Sequence, residues 1–206
     1  MVHISKHPLV MEKLSLLRDM NTSTSVFRKA MKDIAILIGY ELMSDFPTKE
    51  VKLKTPLAPI ACHVISREIV IVAILRAGLG LMDGLIEIIP EARQAHIGMY
   101  RDEETLKPVK YYLRFPDDLK DKIIIITDPM LATGGSAVES VNIVKSRGGK
   151  YIYFMSVIAS KFGVDVLKKH HPDVKIFTAA IDEKLNRNGY IVPGLGDAGD
   201  RMFGTY

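Results

Sequence analysis

The stretch IIIITDPMLATGGSAV, residues 123–138, decides the fold because it sets a buried strand, an acidic residue, a glycine turn and a helix start in succession. Its four consecutive isoleucines are typical of a strand that is covered on both faces of a parallel sheet. The two glycines after Thr133 let the backbone approach a ligand, and the helix that follows them offers unpaired N–H groups. Helix N-termini of this kind bind phosphate. The stretch therefore predicts a strand, a phosphate-binding turn and a helix.

The acidic residue of this stretch, Asp128, comes just after the predicted strand. In open α/β sheets ligands bind beyond the carboxyl ends of the strands, so Asp128 is placed to meet a substrate. Neither the G-x-x-x-x-G-K-[ST] loop nor the G-x-G-x-x-G motif occurs within the stretch, so the phosphate need not belong to ATP or NAD. Spacing alone leaves open a purely structural turn with a capped helix and an exposed Asp128.

The composition is that of an ordinary globular chain. With 206 residues, 48% of them hydrophobic and 25% charged, residues 1–206 are expected to form a single domain. The formal charge of +4 comes from scattered basic residues, which suits an anionic substrate and predicts no nucleic-acid interface. The single Cys62 excludes an intramolecular disulfide and is interpreted as a packing residue. Because the start lacks a signal-type core and the longest apolar run is Ile69–Leu75, we expect a cytoplasmic protein without a membrane span.

Periodic patterns assign most of the remaining chain. Apolar residues at helical spacing predict two N-terminal helices within about residues 8–45. Further on, strands are predicted at residues 51–55, 69–75, 96–100, 109–115, 151–159 and 174–181, with helices after Gly80 and at residues 164–169. Because strands and helices alternate, we predict an α/β fold with a mainly parallel sheet flanked by helices. His170 and His171 are interpreted as solvated or dipole-pairing residues at a helix end, and no histidine spacing indicates a zinc site.

Two further stretches carry side chains suited to a ligand. Arg76 follows the predicted strand Ile69–Leu75 and precedes the turn AGLG, so its planar guanidinium can donate to phosphate oxygens. Pairing with a surface carboxylate is the simpler interpretation of an isolated arginine. Residues 97–116 hold two strands around the polar sequence RDEETLKP, which predicts a protruding β-hairpin arm. A solvated loop of mixed charge is the alternative for its tip.

The C-terminal segment, about residues 182–206, contains the sequence NGYIVPGLGDAGDRMFGTY. Its glycines and proline predict a tight, non-repetitive loop, which a C-terminal tail can form without any function. A loop of this composition also exposes backbone N–H and C=O groups that can hydrogen-bond the edge of a flat ligand. The segment is therefore a candidate binding site.

Four motifs occur in one order: ILRAGLG at residues 74–80, YRDEETLKPV at 100–109, DPMLATGGSA at 128–137 and GYIVPGLGDAGDR at 189–201. Together they resemble the uracil phosphoribosyltransferases, a branch of the type I phosphoribosyltransferase family, over residues 7–205. The resemblance implies a type I phosphoribosyltransferase-like fold with the hairpin arm and a C-terminal base-binding loop. It also implies pyrimidine salvage, in which the phosphoribosyl group of 5-phospho-α-D-ribose 1-diphosphate (PRPP) is transferred to N1 of uracil, giving UMP and diphosphate.

The resemblance also assigns roles to particular residues. To PRPP it assigns Arg76, Arg101, Asp128, Pro129, Met130, Leu131, Ala132, Thr133, Gly134, Gly135, Ser136 and Asp197. Among these it marks four as catalytic: Arg76, Arg101, Asp128 and Asp197. To uracil it assigns Ile191, Gly196, Asp197 and Ala198. Mg²⁺ is implied as the cofactor, held mainly through oxygens of PRPP rather than by a dedicated protein site.

Three expectations about partners accompany this family. The resemblance implies a homo-oligomer, either a dimer or a tetramer, and we carry activation by GTP as a hypothesis. No membrane and no nucleic acid is expected as a partner. A phosphoribosyltransferase for another base, or an RNA-binding pyrimidine regulator of the same fold, are the alternatives.

Overall fold

The structure is a computed structural model that describes residues 1–101 and 108–205. Its helices are α1 (Pro8–Arg18), α2 (Thr24–Met43), α3 (Leu79–Ile88), α4 (Gly135–Ser146), α5 (Lys161–His170) and α6 (Ala198–Phe203). Its strands are β1 (Val2–Ile4), β2 (Thr48–Lys54), β3 (Pro59–Ile65), β4 (Ile69–Leu75), β5 (Arg93–Arg101), β6 (Pro108–Arg114), β7 (Ile123–Thr127), β8 (Met130–Leu131), β9 (Tyr151–Met155), β10 (Ile158–Ser160), β11 (Lys175–Thr178), β12 (Ala180–Asp182), β13 (Lys184–Leu185) and β14 (Ile191–Val192).

A seven-stranded sheet forms the centre, in the order β1-β11-β9-β7-β4-β5-β6. Neighbouring strands are parallel except for β5 and β6, which pair antiparallel at one edge. Strand β7 lies in the middle, between β4 and β9, and all five of its residues are buried. This arrangement confirms the mixed α/β fold with a mainly parallel sheet, and it brings the end of β7 to the centre of the sheet's carboxyl edge.

The isoleucines of β7 show why this run forms a central strand. Ile123 and Ile125 belong to a hydrophobic cluster that includes buried residues of α1, α2 and α3. Ile124 and Ile126 belong to a second cluster with α4 and α5. Because successive side chains of a strand point to opposite faces, each pair packs against one layer of helices, and the unbroken apolar run is a consequence of burial on both faces.

The two long strands predicted after α4 are wrong in their extent, because each is divided. The first is divided at Ser156, whose backbone N–H donates to the carbonyl of Phe177 at 2.9 Å, and at Val157, whose N–H donates to Pro129 O at 3.0 Å. The second is divided at Ala179, whose N–H donates to Val157 O at 3.0 Å. The later halves leave the central sheet and form a small parallel sheet in the order β12-β10-β8. A continuous apolar run contains no signal for this exchange of partners.

Helices and ribbons complete the chain around the sheet. The antiparallel ribbon of β2 and β3 lies apart from the central sheet and is largely exposed. Its Cys62 is half-buried rather than packed in a core. Within the described ranges, the helices are all too short or too polar to cross a membrane.

Candidate active site

A cleft of about 360 Å³ opens between the loop after β7 and the C-terminal segment. We call residues 128–136 the phosphate loop and residues 76–80 the Arg76 loop. The cleft is lined by Ala77, Asp128, Met130, Leu131, Ala132, Thr133, Gly134, Ser136, Ala137, Asn188, Gly189, Tyr190, Gly196, Asp197, Ala198 and Gly199. The structure thus brings most of the predicted PRPP residues together with three of the predicted uracil residues.

Among the predicted residues whose side chains the structure describes, four stand outside this lining. Pro129 and Gly135 lie within the phosphate loop without lining the cleft, and Ile191 is buried behind it in β14. Arg76 lies in the adjoining loop, beside the lining residue Ala77. The backbone of Arg101 ends β5, and its side chain lies outside the described part of the chain. Tyr190 was missed by sequence reasoning, although it is half-exposed in the cleft within a quoted motif.

The phosphate loop is shaped by local hydrogen bonds. The backbone N–H of Asp128 donates to Met155 O at 3.1 Å, which fixes the loop to the end of the neighbouring strand. The Asp128 carboxylate in turn accepts from the N–H of Met130 at 3.2 Å. Gly134 adopts φ +82° at the start of α4, where its missing side chain provides no cap for the helix N–H groups. These N–H groups and the helix dipole are suited to an anion.

The start of α5 supports the phosphate loop from behind. The hydroxyl of Ser160 donates to Ala132 O at 2.5 Å and accepts from the N–H of Gly163 at 2.8 Å. A Cβ on Gly163 would lie 2.4 Å from Ala132 O, so only glycine permits this approach. On the other side, a Cβ on Gly134 would lie 2.9 Å from Val166 Cγ1. The loop is therefore packed closely against α5.

The Arg76 loop is joined to the end of β7. The hydroxyl of Thr127, fully buried, donates to Gly78 O at 3.0 Å. A Cβ on Gly78 would lie 2.4 Å from Thr127 O, which shows how closely the two backbones approach. The Leu75–Arg76 peptide bond is cis. The carboxyl ends of β4 and β7 thus present their loops side by side, as the parallel sheet predicts.

The C-terminal segment contains more regular structure than the predicted loop. It includes the short strand β14 and the helix α6, which begins after Asp197. The Asp197 carboxylate accepts from the N–H of Asp200 at 2.9 Å, a regular N-cap, and Gly204 ends the helix with φ +68°. The high glycine content hid this helix, because glycine is unfavourable within helices but frequent at their ends.

Two arginines fix the C-terminal segment to the end of α1. Arg18 donates to both carboxylate oxygens of Asp182 at 2.7 and 2.8 Å and to Gly194 O at 2.7 Å. Arg201 donates to Asp19 O at 2.5 Å and to Leu17 O. The Arg18 hydrogen bond lowers the pKa of the Asp182 carboxyl below its ordinary value, against the opposing effect of burial. No functional residue was predicted in the first two helices, yet α1 supports the segment.

Of the described residues that line the cleft, two carry carboxylates, Asp128 and Asp197. The Tyr190 hydroxyl donates to Asp197 Oδ2 at 3.2 Å and thereby orients it. Among the residues that the structure describes, no group of three or more His, Cys, Asp or Glu side chains is arranged to hold a metal ion. The two carboxylates fit a hydrated magnesium ion that takes most of its ligands from a substrate.

His171 does not have the predicted solvated environment. It is 6% exposed, and its ring nitrogens lie 3.3 Å from Lys145 Nζ and 3.3 Å from Val138 O. Burial lowers the pKa of the imidazole, and the Lys145 ammonium lowers it further. The prediction failed because the polar sequence around His171 did not indicate its packing beneath α4.

The fold and the cleft define a class of protein. A solved adenine phosphoribosyltransferase from Thermoanaerobacter pseudethanolicus matches with a TM-score of 0.52 at 15% identity, covering 74% of this chain and 81% of that one. At this identity the likeness concerns the fold alone, that of the type I phosphoribosyltransferases. A solved structure of a protein from Aquifex aeolicus has a TM-score of 0.95 at 35% identity, over 100% of this chain and 99% of that one.

Sequence comparison identifies the branch. A family model described as uracil phosphoribosyltransferase matches residues 4–205. The uracil phosphoribosyltransferase of Bacillus licheniformis is 53% identical over 205 residues, which are 99% of this chain and 98% of that protein. The chain belongs to the uracil phosphoribosyltransferase family. The family predicted from the four motifs is thereby confirmed.

Proposed function

We propose that this protein transfers the phosphoribosyl group of PRPP to N1 of uracil, releasing diphosphate and forming UMP for pyrimidine salvage. The observation that carries the proposal is that the phosphate loop and residues 196–199 of the C-terminal segment line the same cleft. One wall offers helix N–H groups to a phosphate, and the other offers backbone groups to a base. A phosphoribosyl donor and a base can therefore meet in that cleft.

The phosphate loop is proposed to hold the phosphoribosyl part of PRPP. The N–H groups of residues 133–136, at the start of α4, suit the 5′-phosphate. Asp128 lies at the centre of the carboxyl edge, where its carboxylate can accept hydrogen bonds from the ribose hydroxyls. Together these contacts fix the anomeric carbon, so most of the rate enhancement they contribute comes from positioning.

The reaction forms a bond between uracil N1 and the anomeric carbon while the bond from that carbon to the diphosphate oxygen breaks. The ribose gains oxocarbenium character and the leaving diphosphate gains charge, and uracil loses its N1 proton. Arg76 and Arg101 are the residues that we assign to the developing charge of diphosphate, since preorganised cations stabilise charge as it appears. Asp197 is assigned to the region of the diphosphate and its metal.

Magnesium fits this proposal as the cofactor. Asp128 and Asp197 are the residues that would contact it, directly or through water, while PRPP oxygens supply most of its ligands. When bound, magnesium neutralises charge on the diphosphate. The chain's own residues orient the donor and the base around that charge.

Uracil is proposed to bind along the C-terminal segment, at Ile191, Gly196, Asp197 and Ala198. The base presents an acceptor, a donor and an acceptor in sequence, which peptide N–H and C=O groups can match without a charged side chain. Cytosine changes this pattern, and leaving buried donors and acceptors mismatched gives strong rejection. Specificity then depends on how firmly α1 holds this backbone in place.

Three finer expectations are part of the proposal. The protein acts in the cytoplasm, it forms a dimer or a tetramer, and GTP activates it. Sedimentation at several protein concentrations, and rates with and without GTP, test the last two. Constant kinetics with added GTP at every protein concentration would remove the effector.

The test of the function is the formation of UMP from radiolabelled uracil, with PRPP and magnesium each omitted in turn. We expect product only when PRPP is present, and a large decrease without magnesium. Parallel reactions with hypoxanthine, guanine, adenine and orotate examine the other bases, which the comparisons do not favour. A gel shift with pyrimidine-operon leader RNA tests the alternative that the protein is an RNA-binding regulator of the same fold. Product from another base but not from uracil would refute the proposal.

A further inference from the structure

The side chain of Arg76 is held by the C-terminal segment. Its Nη2 donates to Thr205 Oγ1 at 3.2 Å and to Asp200 Oδ1 at 3.4 Å, and its guanidinium lies 5.3 Å from the centre of the Phe203 ring. The Thr205 hydroxyl donates to the same Asp200 oxygen at 2.7 Å. Asp200 and Thr205 thus form a small polar group against one nitrogen of Arg76.

The backbone around Asp200 fixes this group in place. Asp200 O accepts from the N–H groups of Gly204 at 2.7 Å and Thr205 at 3.2 Å. At the other end of α6, the Asp200 N–H donates to the carboxylate of Asp197. Residues 197 and 198 line the cleft, so one turn of helix connects the side that we assign to uracil with the residue that holds Arg76.

These contacts use only part of the guanidinium. An arginine has five N–H donors in a planar fork, and both hydrogen bonds described here run through Nη2. The N–H groups of Nη1 and Nε are not used by Asp200 or Thr205. A guanidinium fixed at one nitrogen still has donors for phosphate oxygens and loses less rotational freedom when it binds them.

Stability does not explain the group. The Arg76 and Asp200 side chains are 54% and 38% exposed, and exposed ion pairs of this kind contribute little to folding. Simple charge does not explain it either, because a carboxylate beside a site for a polyanion repels the ligand. Asp200 is useful at this position only if the orientation that it gives Arg76 outweighs that repulsion.

We propose that Asp200 and Thr205 are positioning residues for the reaction: they hold the Arg76 guanidinium ready for the diphosphate of PRPP. The inference rests on the proposed function, because it takes PRPP as the ligand of Arg76. It adds two residues that act through Arg76.

The test is equilibrium binding of PRPP and of inorganic diphosphate, measured by calorimetry in the presence of magnesium. Asp200→Ala removes both charge and acceptor, whereas Asp200→Asn removes the charge and keeps Oδ1 as an acceptor. Thr205→Val removes the hydroxyl at nearly constant volume, whereas Thr205→Ser keeps it. The control is Asp45→Ala, because Asp45 is 37% exposed and pairs with Lys175 at 2.7 Å in another part of the molecule.

We expect the dissociation constant for PRPP to rise about tenfold in Asp200→Ala and less in Asp200→Asn and Thr205→Val. Thr205→Ser and Asp45→Ala should bind as the wild type does. In steady-state kinetics the KM for PRPP should rise while the KM for uracil stays within about twofold. This separation distinguishes positioning of Arg76 from a general loosening of α6.

Three results overturn the inference. Equal PRPP binding by Asp200→Ala would show that Asp200 does not position Arg76 for this ligand, and tighter binding would show that the repulsion by its charge outweighs any positioning. An equal rise in both KM values would show that Asp200 merely supports the helix. A wild type that binds neither PRPP nor diphosphate would refute the proposed function and the inference together, whereas a wild type that binds PRPP and forms UMP leaves any failure with the inference alone.

Discussion

The phosphate loop and the C-terminal segment face each other across one cleft, but contacts of very different range hold them. In the phosphate loop, Asp128 accepts from a backbone N–H two residues away, and Ser160 supports it from 28 residues away. In the C-terminal segment, Arg18 reaches Asp182 across 164 residues, and Arg201 reaches Asp19 across 182. One wall of the cleft is therefore built mainly by its own sequence, and the other by the opposite end of the chain.

This difference suits the two ligands that we propose for the cleft. A phosphate needs N–H groups at a helix start, which a short strand, turn and helix provide. A base with a mixed hydrogen-bonding edge needs a particular non-repetitive backbone, which local propensity does not specify. Fixing such a backbone requires side chains from elsewhere, and bidentate arginines suit this role because their geometry is rigid.

The largest expected effect comes from disrupting the phosphate loop at Gly134. Gly134→Val places a β-branched residue at φ +82° and within about 3 Å of Val166 and Gly163 O, so the loop must move. We expect PRPP binding to weaken by roughly a hundredfold or more, because small misplacements near reacting groups are this costly. Calorimetry with PRPP measures it.

The matched control for this variant is Gly148→Val. Gly148 has a similar φ of +85°, but a Cβ there meets nothing closer than 3.8 Å. Both variants carry the same backbone strain, and only Gly134→Val adds the clash beside the phosphate loop. Equal PRPP binding by the two variants would contradict the importance given to the loop.

The next largest effect comes from removing, at Asp182, the contact that fixes the C-terminal segment to α1. Asp182→Ala leaves Arg18 without its bidentate partner, and we expect a loss of about 3 kcal/mol in the free energy of unfolding. The KM for uracil should rise more than the KM for PRPP. Chemical denaturation and steady-state kinetics measure the two quantities.

A double-mutant cycle with Arg18→Ala isolates this pair. Because the two side chains contact each other directly, their effects should be strongly non-additive. Additive losses, or a rise confined to the KM for PRPP, would show that this pair does not fix the base-binding wall.

A smaller effect is expected at Thr127, the last residue of β7, whose hydroxyl bonds to the Arg76 loop. Thr127→Val removes the hydrogen bond to Gly78 O and should cost about 1 to 2 kcal/mol of stability, with weaker PRPP binding. Thr178→Val is the control, because the Thr178 hydroxyl is equally buried and donates to Val157 O and Ala180 O, away from the Arg76 loop. Weaker PRPP binding in both variants would argue against a local link between β7 and the Arg76 loop.

The smallest effect is a pH dependence of stability that comes from His171, which packs against α4 behind the phosphate loop. His171 contacts Val138 O in the first turn of α4 and lies beside Lys145, with Asp173 and His170 close by, and its pKa is lowered in the folded state. Below about pH 6.5 the unfolded chain therefore takes up a proton that the folded chain resists. Stability should decline as pH falls from that value toward the lower folded pKa.

His171→Gln removes this titration and should flatten the decline, as chemical denaturation between pH 5 and about 7.5 can show. His170→Gln is the control, because His170 is exposed and lies on the neighbouring position of α5. An unchanged pH profile in His171→Gln would contradict the assignment.

The phosphate loop and the strand and helix beside it were also the part of the site that could be predicted well from the sequence. The isoleucine run, the acid and the glycines of residues 123–138 each carry information about a neighbour a few positions away, so strand β7 and helix α4 could be predicted. The Arg76 loop followed for the same reason. Helix α6 was missed because its N-cap and C-cap lie in a sequence rich in glycine.

Contacts between distant residues left no signal in any single stretch. Nothing around Arg18 distinguishes it from a surface arginine, and nothing around His171 indicates burial. The division of the predicted strands at Val157 and Ala179 depends on which neighbour each half meets in space. Physical reasoning from sequence therefore reaches elements and local loops, whereas the exchange of sheet partners and the support of the base-binding wall require the structure.

The most direct measurement is the initial rate of UMP formation with uracil and PRPP titrated against each other, for the wild type, Gly134→Val and Asp182→Ala, at a temperature where all three stay folded. We expect the wild type to form UMP with a requirement for both substrates. Gly134→Val should raise mainly the KM for PRPP, and Asp182→Ala mainly the KM for uracil. A folded wild type that forms no UMP, or two variants that change the same KM equally, would contradict the assignment of PRPP to the phosphate loop and of uracil to the C-terminal segment.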